Sequence, residues 1–167
     1  MSLLPPIAAV CGVILAVLLL ILGLRGRFGT PTEQGQFMLT ELEHSDEIPE
    51  GTIARDIATC RGSTMEGHAP IGAGVLWLTS GDLGFVRRTP RRHLRIPLEA
   101  VDSAVVSSTY RREGFVEVTD AQDFLIVEWT VPDGDTDTIA WLTPDPERWA
   151  AIIQEAAGRA SNRDGLF

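Results

Sequence analysis

Hydrophobic residues are concentrated at the N-terminal end of the chain, where residues 2–24 contain no charged side chain. A helix needs about 20 apolar residues to cross the hydrocarbon core of a bilayer, so this run is long enough. A cleaved signal peptide would carry basic residues before its apolar core, whereas here Arg25 and Arg27 follow it. The pattern therefore predicts an uncleaved transmembrane anchor over residues 1–27, flanked by these two arginines.

The same two arginines predict the orientation of the chain. Basic residues next to a membrane span favour the cytoplasmic side, so the N-terminus is expected outside and residues 25–167 in the cytoplasm. The two cysteines, Cys11 and Cys60, are too few for a disulfide scaffold and are expected to be reduced. We therefore predict a single-pass protein of the cell membrane with a cytoplasmic C-terminal domain.

Residues 28–52 form the next compositional segment. They contain six acidic residues, no Arg and several Gly and Pro. Such a stretch buries too little apolar surface to fold alone, so we predict a solvated acidic linker. A flexible linker of this length would have a root-mean-square reach of about 25–30 Å, which keeps the following domain close to the membrane.

From residue 52 onward the pattern changes to short apolar runs that are typical of strands. They are predicted at residues 52–60, 74–80, 83–88, 93–98, 100–110, 114–120, 123–131 and 136–143. The segment "PDGD" between the last two is a hairpin turn in which Gly134 supplies a positive φ. Short strands at this spacing indicate a closed or nearly closed antiparallel β structure. The four tryptophans are predicted to be packing residues rather than a ligand site.

A helix is predicted after the last strand. Asp145 suits the N-cap, and Pro146 suits the first helical position. Apolar residues then recur at i, i+3, i+4 and i+7 and share one face: Trp149, Ile152, Ile153 and Ala156. This pattern predicts an amphipathic helix of about three turns that covers an apolar surface, followed by a flexible tail over residues 158–167.

This order of elements resembles a known family. The segments "GVLWLTSGDLGFVRR" and "IPLEAV" resemble bacterial pleckstrin-homology (PH)-like and GRAM-type domains, in which an apolar strand ending in Leu-Thr precedes a turn and a second strand. With the apolar N-terminal run, the chain resembles small single-span actinobacterial membrane proteins that carry a cytoplasmic PH-like domain. The resemblance covers residues 53–157 and the anchor. It implies about seven antiparallel strands in a barrel or sandwich, capped by one C-terminal helix, and lipid or protein binding at a membrane.

The sequence contains no recognisable catalytic motif. The histidines, at positions 44, 68 and 93, are too far apart for a short metal-binding spacing. Asp133, Asp135 and Asp137 alternate as in a calcium loop, but the twelve-residue pattern ending in Glu is absent. No nucleophile elbow and no phosphate-binding loop occurs. We therefore predict no enzyme activity, no cofactor and no metal.

Charge is distributed unevenly along the chain. The net charge is −9, which argues against a general nucleic-acid binder because phosphate contacts need a positive docking face. Residues 87–112 nevertheless contain seven Arg and two acids, whereas residues 113–147 contain ten acids and no Arg. The densest part, "RRTPRRHLR", supplies the candidate anion-facing or lipid-facing residues: Arg87, Arg88, Arg91, Arg92 and Arg95.

Two interpretations of these five arginines stay open. A basic cluster close to a bilayer attracts anionic lipid by about 1 kcal/mol per charge. Alternatively, it is an exposed hairpin tip that the domain's own acids neutralise. By the resemblance, PH domains that bind phosphoinositides use the loop between the first two strands, so the analogy fails if 52–60 is the first strand. The leading hypothesis is a non-enzymatic scaffold module that contacts anionic headgroups or a membrane-protein partner. The alternative is a pure protein–protein adaptor or accessory subunit.

Overall fold

The computed structural model describes residues 47–112 and 116–164, without the side chains of 116 and 162–164. The predicted anchor with Arg25 and Arg27, as well as Cys11 and His44, lies outside these residues. Among the helices within the described ranges, none is both long enough and apolar enough to cross a membrane.

Seven strands and one long helix form the described domain. Their bounds are β1 Ala54–Ser63, β2 Gly72–Leu78, β3 Asp82–Arg87, β4 Arg92–Pro97, β5 Val101–Arg112, β6 Val116–Thr130, β7 Thr136–Leu142 and α1 Pro146–Asp164. A short 3-10 helix, Leu98–Ala100, joins β4 to β5. The predicted mainly-β domain with about seven antiparallel strands and one C-terminal helix is therefore confirmed.

The strands form one curled half-barrel in the order β4-β3-β2-β1-β7-β6-β5. Every ladder between neighbours is antiparallel. The β1–β7 ladder, with Thr59 opposite Leu142, joins the β1–β4 part of the sheet to the β5–β7 part. β1 is thus an interior strand, and β4 and β5 lie at the two ends of the order.

The core lies between the concave side of the sheet and α1. Alternate residues of the strands face it, so that Phe85 pairs with Leu94 and Leu83 with Ile96 in the β3–β4 ladder. All four tryptophans are buried, as predicted, and the indoles at positions 141 and 149 are almost completely inaccessible. Burial of rings of this size contributes a large share of the hydrophobic stabilisation.

The helix α1 begins as the sequence predicts. The backbone N–H of Arg148 donates to Oδ1 of Asp145 over 3.0 Å, which satisfies one of the free donors of the first turn. The buried face includes Trp149 and Ile153, and this face packs against β5, β6 and the 3-10 helix. On the sheet side, the Gln154 amide donates to the carbonyl of Ala104 on the terminal strand β5.

Two elements differ from the predicted boundaries. The described parts of the runs at 114–120 and 123–131 belong to one strand, β6. Its register against β5 shifts between the pairs Ser107–Phe124 and Thr109–Thr119. The turn-like sequence "DAQD" in this strand therefore makes a bulge instead of ending the strand. The helix also extends to Asp164, past the three turns that its apolar stripe predicts.

Candidate functional site

The five candidate arginines lie on and beside the hairpin that connects β3 to β4, which we call the arginine hairpin (residues 87–95). Arg87 ends β3, Arg92 begins β4, and Arg88 and Arg91 lie in the turn between them. The first strand is β1, Ala54–Ser63, so the arginine hairpin does not occupy the loop between the first two strands. The analogy with the headgroup loop of phosphoinositide-binding PH domains therefore fails here.

Arg87 and Arg92 face the loop between β1 and β2. They are directly opposite each other in the β3–β4 ladder, an arrangement that is unfavourable for like charges. Backbone carbonyls accept their hydrogen bonds: Arg87 donates to Ile71 over 2.7 Å and to Pro90 over 2.8 Å, and Arg92 donates to Gly67 over 3.3 Å. Arg87 is therefore tied to the backbone on both sides of its strand.

Arg91 and Arg95 pair with carboxylates. Nη2 of Arg95 lies 2.6 Å from Oδ2 of Asp82, and this hydrogen bond raises the pKa of the Arg95 guanidinium. Nε of Arg91 lies 2.9 Å from Oε1 of Glu47. The domain's own acids therefore neutralise part of the cluster, as one of the two interpretations expects. Arg88 is exposed at the turn, and its side chain is not without an interaction partner either.

The convex side of the β1–β4 part carries a small apolar cluster made of Val75, Trp77 and Val86. Ile48 packs against this cluster from the chain segment before β1. The Thr52 hydroxyl donates to the carbonyl of Pro49 over 2.7 Å and so closes a turn in that segment. Residues 47–52, which the sequence assigns to the linker, thus pack on the domain beside the arginine hairpin.

Asp137 is the most buried charged side chain among the described residues, and sequence reasoning missed its role. Its Oδ1 accepts hydrogen bonds from the Thr64 hydroxyl over 2.8 Å, from the Met65 N–H over 3.0 Å and from the Thr138 N–H over 2.8 Å. Its Oδ2 lies 3.3 Å from Nδ1 of His68, which is one-third exposed. The carboxylate therefore fixes the β1–β2 loop onto β7.

The hydrogen bonds of Asp137 distinguish it from the two aspartates that alternate with it in the sequence. Asp133 and Asp135 are exposed in the β6–β7 turn, whereas Asp137 is inaccessible and occupied by the chain itself. Within residues 47–112 and 116–164, no group of three or more His, Cys, Asp or Glu side chains is arranged to hold a metal ion. The alternation in "DGDTD" is therefore explained by a turn followed by a strand.

Cys60 lies in the core on β1 and makes no disulfide. Burial raises the pKa of its thiol to about 12, against a smaller opposing effect of a backbone hydrogen bond from Gly62. A thiol of this kind holds almost no thiolate at neutral pH, and the thiolate is the nucleophile in cysteine chemistry. Cys60 is thus a packing residue.

A groove of about 780 Å³ lies where the long β5–β6 hairpin meets β7 and the β1–β2 loop. Its walls include Thr64, Thr109, Thr136 and Thr138, together with the opposed pair Arg111 and Glu117. Tyr110 forms part of the groove and donates its hydroxyl hydrogen to the Arg61 carbonyl over 2.8 Å. The lining carries three acids and one base, so the groove does not extend the basic surface of the arginine hairpin.

No protein-family model matches this chain, and no curated protein matches it either. The PH-like family named from the sequence therefore stays a prediction.

Proposed function

We propose that the chain is a non-enzymatic, membrane-anchored PH-like module that binds at the cytoplasmic face, with the arginine hairpin as its contact surface. Its targets are anionic lipid headgroups or an acidic membrane-protein partner. The anchor, the orientation and the family are proposals from the sequence. The confirmed order of seven strands and a C-terminal helix supports the PH-like assignment.

One observation carries this proposal. Arg88 and Arg91 are exposed on the β3–β4 turn, and Arg92 is exposed at the start of β4, the terminal strand of the sheet order. Most acids of residues 117–147 lie on β6, on β7 and in the turn between them, beyond β1 in that order. Opposite charge is therefore separated across the sheet, so an anionic surface can approach the basic end. A few exposed arginines attract anionic lipid weakly, which is sufficient for a domain that is already tethered.

The test uses the full chain in lipid nanodiscs. A fluorophore is attached at position 93 through His93→Cys, in a Cys11→Ala, Cys60→Ala background, and quenched by a spin-labelled headgroup lipid. We expect stronger quenching in discs with 30% phosphatidylserine than in phosphatidylcholine discs. The triple variant R88Q/R91Q/R92Q should remove this difference, whereas R55Q/R148Q/R159Q, which removes three charges elsewhere, should keep it. Equal quenching in both discs of the labelled protein that keeps all its arginines would exclude lipid attraction.

A pure protein–protein adaptor is the second candidate, and two observations favour it. Arg91 and Arg95 already pair with carboxylates of the chain, which lowers the charge available to lipid. Val105 on the terminal strand β5 is also exposed, so it offers an apolar contact to a protein partner. Crosslinking in cells from a photoreactive residue at position 105 should then capture one stoichiometric partner, and its absence would count against the adaptor.

A further inference from the structure

Large apolar side chains are exposed at three positions of the described residues, 53, 71 and 105. Ile71, which is 45% exposed, is the last residue of the β1–β2 loop and directly precedes β2. Its carbonyl accepts a hydrogen bond from Nη1 of Arg87 over 2.7 Å. This exposed apolar residue therefore lies next to the arginine hairpin, whereas Ile53 lies at the other end of β2, where its N–H donates to the carbonyl of Leu78.

Arg87 joins the β1–β2 loop and the β3–β4 turn into one surface. While Nη1 binds the carbonyl of Ile71, Nε donates to the carbonyl of Pro90 over 2.8 Å, and Pro90 is exposed as well. The stem of Arg87 also lies against the backbone at Gly72, where an added Cβ would be 3.3 Å from its Cδ. Arg92 makes a second link, to the carbonyl of Gly67. Exposed apolar residues and guanidinium groups are thus held together.

The two arginines that hold this surface keep their charge. Arg87 and Arg92 donate to neutral carbonyls, whereas Arg91 and Arg95 pair with carboxylates. Within residues 47–112 and 116–164, no carboxylate forms an ion pair with Arg87 or Arg92. The β1–β2 loop itself contributes one acid, the exposed Glu66, against these two positive charges. The surface is therefore both apolar and basic.

The predicted anchor is joined to the domain beside the same surface. The described chain begins at Glu47, whose Oε1 lies 2.9 Å from Nε of Arg91. The point of attachment is thus next to the arginine hairpin. A domain that is tethered at this point has the hairpin and Ile71 close to its tether, which raises their local concentration at the membrane.

We infer that this surface docks on an anionic bilayer, with Ile71 entering the interface between headgroups and acyl chains while Arg87 and Arg92 face the headgroup phosphates. Surfaces that lie on membranes combine buried apolar area with attraction to anionic lipid, and this surface offers both. An acidic protein would satisfy the two arginines alone. The inference rests on the proposed function and chooses lipid from its two targets.

Depth of insertion tests the inference directly. A single cysteine is introduced by Ile71→Cys or by Ile53→Cys, in the Cys11→Ala, Cys60→Ala background, and carries the same environment-sensitive fluorophore. The full chain is placed in nanodiscs with phosphatidylserine and with a lipid that is spin-labelled on its acyl chain. We expect quenching at position 71 and little at position 53, although Ile53 is the more exposed of the two at 62%.

A second measurement keeps the native surface. With the fluorophore at position 93 and the spin-labelled headgroup lipid, fluorescence lifetimes give the ratio of docked to undocked domains. Ile71→Ser should lower this ratio about three- to tenfold, as expected for partial burial of one aliphatic side chain. Ile71→Leu and Ile53→Ser should leave it nearly unchanged. The loss in Ile71→Ser should persist at high salt, because salt screens charge and not apolar contact.

The inference and the proposed function fail in different ways. If phosphatidylserine draws position 93 to the bilayer, but Ile71→Ser docks as well as Ile53→Ser and acyl-chain quenching is equal at positions 71 and 53, the inference is overturned and the lipid contact of the arginine hairpin stands. If phosphatidylserine has no effect at position 93, the lipid target is overturned together with the inference, and an acidic protein partner is the remaining target.

Discussion

The indole of Trp77 lies directly over Gly84 on the neighbouring strand. The two residues are opposite each other in the β2–β3 ladder, and a Cβ at position 84 would overlap the six-membered ring of the indole. The absence of a side chain at position 84 thus allows a tryptophan to lie flat on the convex side of the sheet. Ile48 then packs against the cluster that contains this tryptophan.

Gly84→Ala should therefore destabilise the domain. Either the indole or the strand must move, and overpacking of this kind typically costs about 1–3 kcal/mol. Urea unfolding of the full chain in mild detergent, followed by tryptophan fluorescence, measures the free energy of unfolding. Gly158→Ala is the matched control, because a Cβ there meets nothing within 4 Å and alanine favours a helix by up to about 1 kcal/mol. Equal stability of the Gly84 variant and the parent would contradict the overlap.

Replacement of Asp137 should separate the hydrogen-bonding role of this residue from its charge. Asp137→Ala leaves the Thr64 hydroxyl and the Met65 N–H without an acceptor, at a cost of about 2–4 kcal/mol, whereas the Thr138 N–H keeps the Thr64 hydroxyl oxygen as its acceptor. Asp137→Asn keeps an amide oxygen as acceptor and should cost less. Asp135→Ala, two residues earlier in the exposed turn, should change the free energy of unfolding by less than about 0.5 kcal/mol. The idea fails if alanine is no worse than asparagine at position 137.

Stability should fall at alkaline pH because of Cys60. Burial raises the pKa of its thiol to about 12 in the folded chain, whereas the pKa of a free cysteine is about 8.5. Between these values the unfolded chain loses the proton and the folded chain keeps it, so the unfolded state gains stability as pH rises. The slope from this one thiol approaches about 1.4 kcal/mol per pH unit.

The measurement compares the parent with Cys60→Ala from pH 8 to pH 11 in urea. Both proteins should lose stability, because burial also raises the pKa of Tyr110. The parent should lose it more steeply, by the contribution of the thiol. Parallel pH profiles would mean that the thiol is accessible in the folded chain.

Ile48 should contribute to the stability of the domain although it precedes the first strand. Ile48→Ala removes part of the cover of Val75, Trp77 and Val86 and should cost about 1 kcal/mol, with a red shift of tryptophan emission. Ile53→Ala is the control, because that side chain is 62% exposed and should have almost no effect. If neither change alters the free energy of unfolding, residues 47–52 do not pack on the domain.

Local signals predicted much of this fold. Asp145, Pro146 and the apolar spacing that follows predicted the start of α1, and "PDGD" predicted the β6–β7 turn, because caps and turns depend on near neighbours. The bulge in β6 was mistaken for a gap, since a polar tetrapeptide within a strand looks like a turn. The β1–β7 ladder was not visible in the sequence, because it pairs residues about 80 positions apart.

The site was predictable only in its location. The charge pattern placed five arginines on one hairpin, and the hairpin exists. Their partners could not be read from the sequence, because Glu47 lies 44 positions before Arg91 and the Ile71 carbonyl carries no sequence signal. Asp137 was missed because it appeared as one of several turn acids. Its position two residues into β7 from the turn was the available signal for burial.

The position of β1 has a consequence for the order in which the domain assembles. Five of the six ladders between the described strands join neighbours in sequence, so the β1–β4 meander and the β5–β7 meander can each form by short loop closures. The β1–β7 ladder alone requires closure of a long loop, which is slow. During synthesis, β1 is therefore the first of the seven described strands to be made. The edge that pairs with β7 stays unpaired until β7 has been synthesised. We expect the joining of the two meanders to be the rate-limiting event of folding.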